Sequence, residues 1–160
     1  MLNETDRDHL RRCIALAEAA LDAGDQPFGS VLVSADGEVL LEARNRVNSV
    51  DCTRHPEFEI ARWAGAHMPA ADRRRATVYT SGEHCPMCAA AHGLAGLGRI
   101  VFASSSAQLS SWLRELGVTG SGVRSLSINE VAPQVDAQGP VPQLAEIVHD
   151  LHRRYHRSRA

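Results

Sequence analysis

His55, Glu57, Cys85 and Cys88 are the residues whose types and spacing suit chemistry in this chain. An imidazole with a carboxylate two residues later, and two thiols separated by Pro86 and Met87, are the parts of a hydrolytic zinc site. Two thiolates and one neutral histidine give zinc three protein ligands, and the tetrahedral ion keeps its fourth position for water. The charges on such an ion nearly cancel, so the water needs a base nearby, and Glu57 is placed to be that base. A C-x-x-C pair alone would serve equally as a redox pair or half of a closed structural zinc site. The redox reading leaves His55 and Glu57 without a task. A closed site would need His84 or Cys52 as a fourth ligand.

Two helix starts must deliver these groups. Pro56 suits a first helical position, where its missing N–H would be unpaired anyway, so Glu57 falls in the first turn of a helix running to about Ala66. Cys85 opens a second helix of small residues, 89–97. Helix N-termini favour anions and lower thiol pKa, which supports thiolate ligation. The three ligands converge only if the two helices are neighbours on one face of a sheet. Strands are expected at 30–33 and, after the Asp36-Gly37 hairpin turn, at 39–43, then at 77–80 and 99–103. A first helix runs from a capping-box-like start at Thr5 to Asp8 as far as about Ala23, with Gly24 at a left-handed C-cap. Later come a helix around 111–116, a short segment at 125–128, a polar loop over 133–143 and a last helix from 144 to about 156. A hairpin followed by strand–helix alternation argues for α/β architecture, one mixed sheet covered on both faces.

A chain of 160 residues, 44% hydrophobic and 22% charged, fits one soluble domain, 1–160. The sequence carries no signal-like stretch or apolar run long enough to span a membrane. Cysteines at 13, 52, 85 and 88 make a poor disulfide framework, so a reducing cytoplasm is the expected location. Cys13, spaced helically with Leu10, Ile14, Ala17 and Leu21, reads as core. A formal charge of −2 gives no overall field favouring nucleic acid, and the clusters at Arg73-Arg74-Arg75 and Arg153-Arg154 read as solvated surface.

The order H-x-E followed by C-x-x-C resembles the cytidine deaminase-like superfamily, in its cytosine, guanine and tRNA-adenosine deaminase branch. The likeness is continuous from about Asp6 to Phe102. Residues 25–33, Asp-Gln-Pro-Phe-Gly-Ser-Val-Leu-Val, look like the family's first-strand entry, and Asp51-Cys52-Thr53-Arg54-His55 matches its approach to the metal histidine. The resemblance implies a three-layer α/β/α sandwich with one mixed, about five-stranded sheet, and one Zn2+ per chain on His55, Cys85 and Cys88. Glu57 is then the catalytic proton carrier. Asn45 falls at the family's substrate-binding asparagine, though it also suits a turn cap. Phe28 flanks the base or packs in the core, and the Glu83 carbonyl accepts from the departing amine.

Two residues depart from the family pattern, and both bear on substrate contact. Pro56 lacks the N–H that relatives acting on pyrimidines donate to a ring oxygen. His84 stands where the family normally has proline. The expected activity is zinc-dependent hydrolytic deamination of a free nucleobase or related heterocycle, of guanine, cytosine or s-triazine type, releasing ammonia. The alternatives are tRNA adenosine deamination and a catalytically silent zinc-binding subunit. The resemblance further implies a small-molecule base as partner, a homodimer whose second copy helps close each pocket, and a C-terminal helix over the site with Asp150 or Tyr155 near substrate.

Overall fold

The computed structural model describes residues 1–160, and its centre is a five-stranded sheet ordered β2-β1-β3-β4-β5. The strands are β1 (Gly29–Val33), β2 (Val39–Arg44), β3 (Thr77–Gly82), β4 (Arg99–Ser104) and β5 (Ala137–Gln138). β1 runs antiparallel to both β2 and β3, and β3, β4 and β5 are parallel. The β1–β2 hairpin turns through Gly37, whose φ of +86° glycine adopts without a Cβ penalty. The helices are α1 (Glu4–Asp22), α2 (Pro56–His67), α3 (Ala70–Arg75), α4 (Pro86–Ala95), α5 (Ser106–Glu115), α6 (Ile128–Val131) and α7 (Pro142–Arg157).

Side chains alternate across each strand, so the two faces bury different sets. Val31, Val33, Tyr79 and Val101 pack with Leu10, Cys13, Ile14 and Ala17 of α1 and Val148 and Leu151 of α7. Leu32 and Val78 pack on the opposite face with Ile60, Ala61 and Ala64 of α2. Ala89 of α4 and Ile128 of α6 extend that layer over Ile100 and Phe102. Gly29 lets α1 press close to β1: a Cβ there would collide with the Cys13 carbonyl and the Leu16 side chain. The result is the expected three-layer α/β/α sandwich, and no helix is long and apolar enough to cross a membrane.

Several boundaries differ from the sequence expectation. The α1 capping box is Asn3 with Asp6, not Thr5 with Asp8: Asn3 Oδ1 accepts from Asp6 N at 2.8 Å, and Asn3 N donates to the Asp6 carboxylate at 3.0 Å. That carboxylate also takes the Tyr79 hydroxyl at 2.8 Å and both Arg99 Nη atoms at 3.0 and 3.1 Å, tying α1 to β3 and β4. α5 begins at Ser106, because Ser105 and Gln108 form a capping box. The loop of 133–143 contains β5, too short for a readable alternation, and α7 starts at Pro142. α3 was not expected; Arg73 fastens it through the carbonyls of Met68 and Ala95.

Candidate active site

α2 and α4 start side by side at the end of the sheet where β3 finishes. His55 is the N-cap of α2, with extended backbone (φ −84°, ψ 138°), and Pro56 occupies the first turn. Cys85 is the N-cap of α4 in the same conformation, with Pro86 following, and Cys88 lies in that helix's first turn. Neither side chain caps the backbone N–H groups of its own helix, so the imidazole and thiol are free to face one another.

His55 Nδ1 lies 3.5 Å from Cys85 Sγ and 3.6 Å from Cys88 Sγ, and the two sulfurs are 3.6 Å apart. Zinc–sulfur bonds of about 2.3 Å and a zinc–nitrogen bond of about 2.0 Å at tetrahedral angles imply S–S edges of about 3.8 Å and S–N edges of about 3.5 Å. Three donors already spaced at those edges fit a zinc ion, and no fourth His, Cys, Asp or Glu joins the group. Cys52 is exposed and outside it. The Cys85 thiol is brought down to about 4, chiefly by the Cys88 hydrogen bond and then by His55, against the effect of burial. The same hydrogen bond between the two thiols, with burial, pushes Cys88 up, and the hydrogen bond to Cys85 raises His55.

Glu57 is 5% exposed, and its Oε2 sits 3.7 Å from Cys88 Sγ. Burial raises its carboxyl above the ordinary value, opposed by the charge of His55. Oε1 accepts from Ser30 Oγ at 3.2 Å and Thr80 Oγ1 at 3.1 Å, two buried residues the sequence reading did not single out. Nothing local marks them: β3 also carries Thr77 and Ser81, and only the pairing of β1 with β3 brings the two hydroxyls together.

The residues expected to meet substrate separate into groups. Asn45 is buried at the end of β2; Oδ1 accepts from Val47 N at 2.9 Å, and Nδ2 makes no bond within the protein. The turn-capping and ligand-binding readings are thus compatible, because each uses a different atom. Phe28 is half-buried, in contact distance of any Cβ placed on Gly82 and edge-on to His152 at 5.0 Å. Pro56 is buried in the first turn of α2. The Glu83 carboxylate accepts from Ser106 N and Ile128 N, both at 2.8 Å, and so holds the starts of α5 and α6; its carbonyl receives no backbone N–H. His84 is buried with its ring edge-on to His92 at 5.2 Å and neither nitrogen bonded, apart from the ligand cluster.

α7 reaches the rim of this region. Tyr155 Oη accepts from Asn48 Nδ2 at 2.8 Å, while the His152 ring meets Phe28; Asp150 makes no polar contact there. Asp25, fully buried, takes Asn48 N at 2.8 Å, Ser49 N at 2.9 Å and Ser49 Oγ at 2.7 Å, fixing the loop after Asn45.

The profile for the cytidine and deoxycytidylate deaminase zinc-binding region matches residues 3–104. A probable cytosine deaminase of Schizosaccharomyces pombe is 30% identical over 150 residues, covering 88% of this chain and 91% of that protein. A tRNA-specific adenosine deaminase of Agrobacterium fabrum is 32% identical over 125 residues, 76% of each chain. Among solved structures, the guanine deaminase of Nitrosomonas europaea superposes with a TM-score of 0.72 over 93% of this chain and 83% of that one; at 21% identity the likeness is one of fold.

Proposed function

The chain belongs to the cytidine and deoxycytidylate deaminase zinc-binding family, and from that premise we propose that it hydrolyses the exocyclic amine of a free nucleobase or closely related heterocycle. Water and the amino-bearing ring give the oxo ring and ammonia. The observation that carries the reading is His55, Cys85 and Cys88 at tetrahedral edge lengths beside the buried Glu57 carboxylate.

His55 Nδ1, Cys85 Sγ and Cys88 Sγ are the atoms that would hold the ion, and two helix N-termini favour the thiolate forms. Bound there, zinc supplies the Lewis acidity that makes water a competent nucleophile near neutral pH. Glu57 Oε2 takes the proton of the attacking water and gives it to the ring nitrogen beside the amino-bearing carbon. It then moves a second proton to the amino group, which leaves as ammonia. Asn45 has Nδ2 free to donate to an acceptor on the ring edge, and the Glu83 carbonyl is free to accept from the departing amine. Phe28 forms a wall for the ring. Pro56 offers no N–H, so ring-oxygen recognition falls to other groups, Asn45 among them. The position of His84 beneath α4 favours a part in packing that helix rather than a hydrogen bond to substrate.

A free base suits the site better than an anticodon arm. The relative named as a cytosine deaminase covers more of the chain than the tRNA deaminase does. The formal charge is −2, whereas a tRNA surface relies on many phosphate contacts. The contacts of α7 with Phe28 and Asn48 also narrow the rim. We further propose a homodimer: Leu94 on α4 is 90% exposed beside a groove lined by Ala90, Leu97, Val131 and Ala132 together with Arg74 and Asp136, a surface a second copy would cover. Four free cysteines are in keeping with a reducing, cytoplasmic setting.

The test is ammonia release from a panel of free bases, nucleosides and tRNA, with zinc measured on the same protein. Glu57→Gln is expected to keep its zinc and lose about 10²–10⁴-fold in kcat, the usual worth of a general acid–base. Zinc-loaded wild type inactive on every base supports the silent-subunit alternative; release from tRNA alone supports the adenosine one.

A further inference from the structure

The two oxygens of Glu57 have different surroundings. Oε2 faces the ligand cluster, 3.7 Å from Cys88 Sγ. Oε1 points into the sheet, 3.2 Å from Ser30 Oγ and 3.1 Å from Thr80 Oγ1. The two hydroxyls lie 2.9 Å from each other, and Thr80 Oγ1 is also 2.9 Å from the Gly82 carbonyl. Ser30 and Thr80 are directly paired across the antiparallel β1–β3 ladder, and both are 0% exposed. Directly opposed residues in such a ladder share a face, here the face that carries Leu32, Val78 and α2.

A buried hydroxyl is costly unless bonded, and valine would suit either strand position on packing grounds alone. What the hydroxyls offer is an adjustable pair of donors. Each has one proton to give, and the pair faces three acceptors: Glu57 Oε1, the Gly82 carbonyl and, for Ser30, the Thr80 oxygen itself. With Glu57 ionised, both donate to Oε1. With the carboxyl carrying a proton on Oε2, Ser30 donates to Oε1 or Thr80, and Thr80 turns to the Gly82 carbonyl. No hydroxyl proton loses its partner in either state, and only O–H rotations separate the two.

We infer that Ser30 and Thr80 are positioning residues for the reaction: they hold Oε1 in place so that Oε2 alone meets the reacting water and carries each proton. The inference rests on Glu57 being the proton carrier. It gives two buried hydroxyls, paired across the ladder and 50 residues apart in sequence, a task that packing alone does not.

The test compares Ser30→Ala, Thr80→Val and the double variant with wild type, using Thr80→Ser as the conservative replacement. Misplacing a reacting group by about 1 Å can cost about a hundredfold. Each single variant is therefore expected to lose roughly tenfold in kcat and the pair roughly a hundredfold, with KM within about twofold. Thr80→Ser should recover most of the single-site loss. Zinc content should stay at one per chain, and the infrared carboxylate band missing from Glu57→Gln should shift in the double variant. A double variant with wild-type kcat and an unshifted band, in a protein where Glu57→Gln is inactive, overturns the inference alone. A fully active Glu57→Gln overturns the assignment beneath it as well. If the double variant does not fold, Ser30→Ala decides, because it removes a single oxygen: undiminished kcat there overturns the inference.

Discussion

Asp25→Ala should loosen the loop that follows Asn45 while leaving the ligand cluster intact. The Asp25 carboxylate is fully buried; Oδ1 accepts from two backbone N–H groups, of Asn48 and Ser49, and Oδ2 from the Ser49 hydroxyl. Arg44 Nη1, buried and otherwise without a hydrogen bond, stands 3.6 Å away. Asn48 in turn donates to the Gly24 carbonyl and to Tyr155, so one carboxylate joins the loop to the end of α1 and to α7. A hydrogen bond to a charged group is worth about 1.5–3 kcal/mol. Three of them do not add fully, because water can reach a surface loop once the carboxylate is gone. A net loss of about 3 kcal/mol corresponds to a Tm drop of about 6–12 °C in a chain of this size. Asp25→Asn keeps an acceptor for the two N–H groups but presents an amide to Arg44, and should cost about 1 kcal/mol.

Burial works against the Asp25 carboxylate, yet the Ser49 hydroxyl, the two N–H groups and Arg44 hold its pKa below the ordinary 3.8. A lowered native pKa contributes stability that is present above the unfolded value and lost as pH falls through the native one. The gap between wild type and Asp25→Ala should therefore be full at neutral pH and shrink below about pH 4. Calorimetry reads the Tm, and hydrogen exchange at Asn48 and Ser49 reads the loop itself. If Asp25→Ala melts within about 2 °C of wild type, with those two amides no faster to exchange, the carboxylate does not hold this loop.

Two further outcomes follow from buried polar groups. Asp6→Asn should cost roughly 3 kcal/mol in denaturant unfolding, because it removes the charge paired with the Arg99 guanidinium, which keeps Gln138 as its other partner, and weakens the Tyr79 bond; a change under about 0.5 kcal/mol would place it among ordinary surface substitutions. His152 is driven down to about 3, first by burial and then by the charges of His156 and His149. Between pH 3 and 6.5 the unfolded chain binds a proton there that the folded chain refuses, so stability should fall on acidification by up to about 1.4 kcal/mol per unit. His152→Leu should flatten that slope between pH 4.5 and 6.5 (an unchanged slope counts against the buried neutral imidazole).

The regular elements were legible where local signals agreed. Pro56 opening α2, Gly24 closing α1 and the Asp36-Gly37 turn are short-range chemistry, and each stands where its type requires. What escaped was short or decided by packing. β5 has two residues, and its pairing with Ile100 and Val101 comes from the neighbouring strand, not from any pattern of its own. Asn3 took the α1 cap, and Asp6, which closes its capping box, has a second task at Arg99, 93 positions away; the box therefore lies two residues upstream of the local reading of Thr5 with Asp8.

The same division runs through the site. His55, Glu57, Cys85 and Cys88 can be read in sequence because each pair is held by one helix start, and a helix start fixes where its first side chains point. Ser30 and Thr80 cannot, since either alone is an ordinary strand residue and the register Ser30↔Thr80 makes them a pair. The same holds for Tyr155 and Asn48, which meet across 107 positions. Donor type is thus local information, while the hold on a donor's unused atom is not. Glu57 was recognisable as a carboxylate beside an imidazole, but which of its oxygens is free to work depends on a ladder formed 23 to 27 residues away in the chain.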